Sequence, residues 1–216
     1  YIDIITYLKM NGNSVWIRHD IDFSLDKAVR FAEFEADLGI KSIYYILVNG
    51  PYYNPFHPEN IEKIKMIKDL GHSIGIHFDL NNIKSVDAAT QANLIHAFRA
   101  LLEYYSIQEI NYITFHRMTP SFELVQLLSN EELYFPDMNK SFKYITDTNK
   151  NWTEDMSEVA KFYPNIQINV HPEWWTEEEM DWESNIYELR LDTNLDKLIE
   201  KEIKSMPPNI YQNPPR

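Results

Sequence analysis

The sequence predicts an α/β fold built on a parallel sheet, in one domain spanning residues 1–216. Three observations predict it. Short apolar segments alternate with amphipathic helical ones, the pattern of strand–helix units in a parallel sheet. Two of the helical segments close on a glycine, Gly39 and Gly71, as helix C-termini do. Asp20, Asp22, His77, His116 and His171 each fall at the C-terminal end of a predicted strand. That end is where parallel α/β barrels build their active sites.

The first strand is Ser14-Val15-Trp16-Ile17-Arg18-His19-Asp20, and a helix follows from about Leu25 to Leu38. Ala28, Phe31, Ala32 and Phe34 form the apolar side of that helix, and Gly39 caps it. The second strand runs from Ser42 to Val48. A loop rich in Pro, Asn and Tyr spans Asn49 to Pro58 and leads into a helix that ends at Leu70 before Gly71. The third strand is His72 to Phe78, a helix covers Val86 to Tyr105, and the fourth strand is Asn111 to Phe115. Short strands are expected near Tyr134 and Tyr144, and a clear one at Ile166 to Val170. A last helix from about Asn194 to Met206 is stopped by Pro207-Pro208. The count is about seven strands, each followed by a loop or helix.

Composition narrows the function. The net charge is -13, so the basic footprint of a nucleic-acid binder is missing. The same charge opposes docking on anionic membranes. No apolar run is long enough for a membrane-spanning helix. With no Cys, disulfides and thiolate metal sites are excluded, and any metal must sit on His and carboxylates. No signal peptide is visible, which points to the cytoplasm. The chain starts at Tyr1 rather than Met, so a trimmed exported form is also compatible.

Five segments carry chemistry. In Arg18-His19-Asp20-Ile21-Asp22, two carboxylates two residues apart on an extended chain point the same way. Like charges so close need a cation or a shared proton. A metal on one, with the other as proton acceptor, satisfies them; a solvated loop or a helix cap before Leu25 is the plainer alternative. In Gly71-His72-Ser73-Ile74-Gly75-Ile76-His77-Phe78-Asp79, His77 ends an apolar strand and suits a metal, with Asp79 and Asn81 near enough to orient or complete the site. His72 sits at the opposite end of the strand and reads as structural. In Thr114-Phe115-His116-Arg117-Met118-Thr119-Pro120, Arg117 can grip a carboxylate such as Asp20, or lie on the surface. Asp147, in the stretch Tyr144 to Trp152, reads by itself as part of a polar turn. In Ile168-Asn169-Val170-His171-Pro172-Glu173-Trp174-Trp175, His171 can protonate a leaving amine. Trp174 and Trp175 can stack on a sugar ring or serve the core.

Taken in order from Arg18 to Trp175, these segments resemble the polysaccharide deacetylase superfamily, carbohydrate esterase family four. The resemblance implies a distorted (β/α)7-type barrel and a divalent metal, usually Zn, that serves hydrolysis of N-acetyl or related amides. Carried over by position, Asp20 is the general base, Asp22 the metal carboxylate and His77 the first His ligand. Arg117 braces the base, His171 is the acid and Asp147 supports it. Three places depart from the commoner pattern; in one, Met118-Thr119 intervene between Arg117 and Pro120, where Pro normally follows soon after Arg. Ile21 separates the two aspartates, and Asn81 stands where a second His usually follows the first. Relatives with separated aspartates often carry a His after the fourth strand, so His116 is expected to complete the triad, with Asn81 as the other candidate.

The expected function is a metal-dependent deacetylase acting on an amino sugar or a polysaccharide precursor such as a capsule sugar, with a carbohydrate as its partner. Two alternatives remain: an amidase for a small non-sugar amide, and a degenerate barrel that binds glycans without turnover. The sugar, the linkage, the metal and the oligomeric state are not legible in the chain.

Overall fold

The structure is a computed structural model that describes residues 2–106, 108–116, 118–130, 133–134, 141–147, 154–175 and 184. Two compact units divide the chain, Tyr1–Glu178 and Glu179–Arg216, and every element below belongs to the first. Arg117 and the expected helix at Asn194 to Met206 lie outside the described residues.

Among the described residues, six strands make one parallel sheet: β1 (Ser14–Ile21), β2 (Ile43–Leu47), β3 (Ser73–Asp79), β4 (Ile113–His116), β5 (Lys143–Thr146) and β6 (Asn165–Asn169). Six α-helices of the described residues accompany them: α1 (Ile2–Met10), α2 (Leu25–Asp37), α3 (Pro58–Asp69), α4 (Ala88–Ser106), α5 (Phe122–Ser129) and α6 (Met156–Phe162). The strand order is β4-β3-β2-β1-β6-β5, so β1 lies centrally and the chain returns to its other side for β6 and β5. The α/β reading therefore holds. Tyr144 lies in β5, as expected; Tyr134 forms an isolated parallel bridge to Tyr112, extending the sheet beyond β4. Helices α1, α5 and α6, not anticipated above, complete the cover.

Aromatic packing shows how far the sheet curls. The Trp16 ring on β1 stacks on Tyr134 at 5.6 Å and meets Tyr112 edge-on at 6.0 Å, both at the β4 side. It also meets Phe142, just before β5, at 5.6 Å. Residues from both edges of the sheet thus converge on one central ring, which gives a half-barrel closed around its own interior.

The two faces of β1 divide the labour, because alternate side chains on a strand point opposite ways. Ile17 and Ile21 face outward. Ile21 joins Leu25, Ala28, Ile46, Ile64, Ile76, Ile95 and Ile113 in the core beneath α2 to α5. Ile17 joins Leu8, Ile145, Val159, Ile166 and Ile168 in a second core at α1 and α6. Helix α2 begins on a Ser24 side chain that accepts the Lys27 N–H, and Gly39 follows it with φ of 69°. Gly71, after α3, has φ of 93°.

His19 also faces outward, into a buried polar cluster. Glu35, fully buried on α2, accepts hydrogen bonds from Ser42 and from Tyr44 (2.9 Å), and its other oxygen lies 3.0 Å from His19 Nε2. His72 Nδ1 lies 3.1 Å from Ser42 Oγ, and its Nε2 3.0 Å from the Ala32 carbonyl. Burial holds the His72 pKa below its ordinary value, although the Ala32 carbonyl and Glu35 oppose it. His72 is structural, as the sequence suggested.

Candidate active site

The inner face of β1 presents Arg18 and Asp20, with Asp22 just past the strand end. His77 comes from β3 and His116 from the last residue of β4. The β3–β4 register pairs His77 with Thr114 and Asp79 with His116, which sets the two imidazoles side by side.

Asp22 Oδ1, His77 Nε2 and His116 Nδ1 form a nearly equilateral triangle. Its edges are 3.3 Å (Asp22–His77), 3.2 Å (Asp22–His116) and 3.2 Å (His77–His116). All three residues are buried. Asp22 Oδ1 is buried without an aligned hydrogen bond, while His77 Nε2 and His116 Nδ1 lie within hydrogen-bonding distance of each other. An ion held tetrahedrally at about 2.0–2.1 Å separates neighbouring ligand atoms by about 3.3–3.4 Å, so the triangle fits one face of such a site. His77 Nδ1 lies 2.8 Å from Thr114 Oγ1, which orients the ring and turns Nε2 towards Asp22 and His116. Burial works against charge on His77, yet Asp20 and Asp22 raise its pKa overall. Burial likewise works against the Asp22 carboxylate, and His116 and His77 hold it well below its usual range. The pocket therefore favours positive charge at its centre. Two imidazoles and one carboxylate are a donor set for Zn and similar divalent ions.

Asp20 stands beside this triangle. Its Oδ2 accepts from Arg18 Nη2 at 2.8 Å and from Asn169 Nδ2 at 2.9 Å. Its Oδ1 is buried and has no hydrogen-bond partner among the described residues. Burial raises the Asp20 pKa, but Arg18, His77 and His171 outweigh it and leave the carboxyl below its ordinary value. At neutral pH it is a carboxylate with one oxygen anchored and one open.

His171 leaves the end of β6. Its Nδ1 lies 2.7 Å from Asp147 Oδ1, and its backbone N–H is shared between both Asp147 oxygens at 3.1 and 3.2 Å. Trp175 Nε1 donates to Asp147 Oδ2 at 2.8 Å. Burial would lower the His171 pKa, but the hydrogen bond and charge of Asp147, with Asp20 and Glu173, raise it to about 9. The Nδ1 proton is held by Asp147, so Nε2 carries the proton that can be given away.

Glu173, fully buried, accepts the Asp22 backbone N–H at 3.1 Å. Burial and then the Asp22 charge raise its pKa to about 8, against the pull of His171.

No protein-family model matches the sequence, and no curated protein matches it. Solved structures do. A family 4 carbohydrate esterase from Streptomyces lividans, in complex with acetate, superposes with a TM-score of 0.57 at 11% identity, covering 88% of this chain and 90% of that one. The chitin deacetylase of Colletotrichum lindemuthianum gives 0.56 at 11% identity, covering 83% and 81%. A pseudoenzyme of the same family from Bacillus anthracis gives 0.57 at 15% identity. The fold is that of the family 4 carbohydrate esterases. The chain covers 88% of itself but only 62% of the pseudoenzyme, less than two thirds of that protein's length.

Within this family 4 esterase fold, six of the residues singled out in the sequence come together at one end of the sheet: Asp20, Asp22, His77, His116, Asp147 and His171. Asn81 does not join them. It is exposed, and its N–H and Nδ2 both donate to Asp79 Oδ1. Trp174 is buried against Phe23 and close to His171, while Trp175 is 38% exposed. Three contacts escaped the sequence reading: Arg18 to Asp20, Asn169 to Asp20 and Glu173 to Asp22. The first was recoverable, since Arg18 and Asp20 are two residues apart on one strand and share a face. Asn169 and Glu173 reach β1 only across long sequence separations.

Proposed function

We propose that this chain is a metal-dependent hydrolase that removes an N-acetyl or related acyl group from an amino sugar or polysaccharide precursor. The observation that carries the reading is the Asp22–His77–His116 triangle, set between a carboxylate with one open oxygen and an imidazole paired with a carboxylate. A divalent ion, for which we propose Zn, would be held by those three residues and would supply Lewis-acid polarisation and a lowered pKa for water. Asp20 Oδ1 accepts the proton of the attacking water, and its anchored Oδ2 keeps the open oxygen in place. His171 Nε2 protonates the departing nitrogen, and Asp147 steadies the imidazolium that precedes the transfer. Arg117, given a bracing role by the resemblance, and the two tryptophans, proposed to meet the sugar, complete the assignment.

A purified sample assayed against N-acetylated saccharides and, separately, small amides and ureides tests this. Turnover confined to saccharides supports it, and turnover confined to small amides replaces the substrate. The likeness to a pseudoenzyme favours a second reading, a barrel that binds glycans without turnover. The retained acid–base pair weighs against that reading, because binding alone needs neither an open carboxylate oxygen nor a proton-donating imidazole.

A further inference from the structure

We infer that Arg18 is a residue that positions Asp20, held for that task inside the half-barrel by Tyr45, Tyr144 and Asn169. The inference rests on the reading of Asp20 as the base.

The Arg18 guanidinium carbon lies 5.4 Å from the Tyr45 ring centroid and 5.3 Å from that of Tyr144. These rings come from β2 and β5, which lie on opposite sides of β1 in the sheet. A guanidinium over aromatic faces is attracted by them, and more so when water is excluded. Arg18 is 2% exposed and Asp20 5%, so their contact is almost dry. Asn169, paired in register with Arg18, donates through Nδ2 to Asp20 Oδ2 and to Tyr144 Oη. The four side chains close a ring: Arg18 to Asp20, Asp20 to Asn169, Asn169 to Tyr144, and Tyr144 back to Arg18. Both donors meet the same carboxylate oxygen, which fixes the plane of the carboxyl group and points Oδ1 the other way.

The motif around His77 contributes as well. A Cβ on Gly75 would lie 2.6 Å from two Tyr45 ring carbons and 3.2 Å from the Tyr112 carbonyl oxygen. The glycine makes room for the ring on which Arg18 rests. Lysine cannot replace this arginine, because a compact ammonium has neither the planar fork nor the flat face.

The test has two arms, both on the full chain as purified. In the first, thermal unfolding is followed for Arg18→Met, Asp20→Asn and the double variant. Removing one partner of a buried pair strands the other charge, so Arg18→Met should lower Tm by about 10 °C. Adding Asp20→Asn should restore most of that loss. Strictly additive shifts would overturn the inference whatever the activity, and if Arg18→Met does not fold, the neutral Arg18→Gln takes its place in the cycle. In the second arm, Arg18→Lys and Asn169→Ser are assayed with an N-acetylated oligosaccharide and with 4-nitrophenyl acetate. The expected result is a fall in kcat of about 100-fold for Arg18→Lys, and a smaller fall for Asn169→Ser, with KM and bound metal unchanged. Loss of metal in step with activity, or a change in KM alone, overturns the positioning role. Thermal coupling in a wild-type protein that turns over nothing would sink the hydrolase reading and leave the Arg18–Asp20 pairing standing.

Discussion

His171 Nδ1 lies 2.7 Å from Asp147 Oδ1, and the same carboxylate also receives the His171 backbone N–H. The residue is thus gripped twice by one partner. This raises its pKa to about 9 from an ordinary 6.5, although burial pulls the other way. A folded-state value above the unfolded one stabilises the fold fully below the unfolded pKa, and that contribution is lost as pH rises through the folded one. Urea unfolding should therefore show stability declining between about pH 6.5 and about pH 9, and the decline should shrink in His171→Gln. In the proposed mechanism the same proton is the one given to the leaving group. The basic limb of the kcat profile should move to lower pH in Asp147→Asn, and an unmoved limb would remove His171 from the role of acid.

Metal content is the second prediction. The purified chain should carry about one divalent ion, measured by mass spectrometry, because the triangle offers one set of ligands. His116→Ala should lose it and Asn81→Ala should retain it, since the Asn81 side chain is engaged by Asp79. Thr114→Val removes the Oγ1 that meets His77 Nδ1 and should weaken affinity about 10- to 100-fold. No uptake after incubation with Zn, Co, Ni or Mn would leave the glycan-binding barrel as the better account.

Asp20→Asn separates base from ligand. It should reduce kcat by about 100-fold or more, the usual worth of a general base, with metal still bound. Asp22→Asn should lose the metal. The opposite pattern would exchange the two roles.

Glu35 tests the fold apart from the site. It accepts from Ser42 and Tyr44 and faces His19, all in a dry interior. Glu35→Leu strands those donors and should cost about 3 kcal/mol or more in urea unfolding, with metal content unchanged in the folded fraction.

Much of this was legible in the residues. Strand and helix periodicity, the closing glycines Gly39 and Gly71, and the placing of Asp20, His77 and His171 at strand ends are local properties that one segment expresses without its neighbours. That His116, and not Asn81, stands beside His77 was decided by pairing. The parallel register of β3 and β4 sets His116 opposite Asp79 and Thr114 opposite His77, whereas the chain turns into a short 3₁₀ helix (Leu80–Ile83) that carries Asn81 to the surface. Asp147 read as part of a polar turn until β5 and β6 aligned and brought it under His171. The Asn169 and Glu173 contacts with β1 span well over a hundred residues, and they exist because β6 returns to the side of β1 that β2 leaves open. The amino-acid order by itself determined which side chains were available at the strand ends. Only the curl of the sheet decided which of them meet, because side chains far apart in the chain become neighbours through strand pairing rather than through sequence spacing.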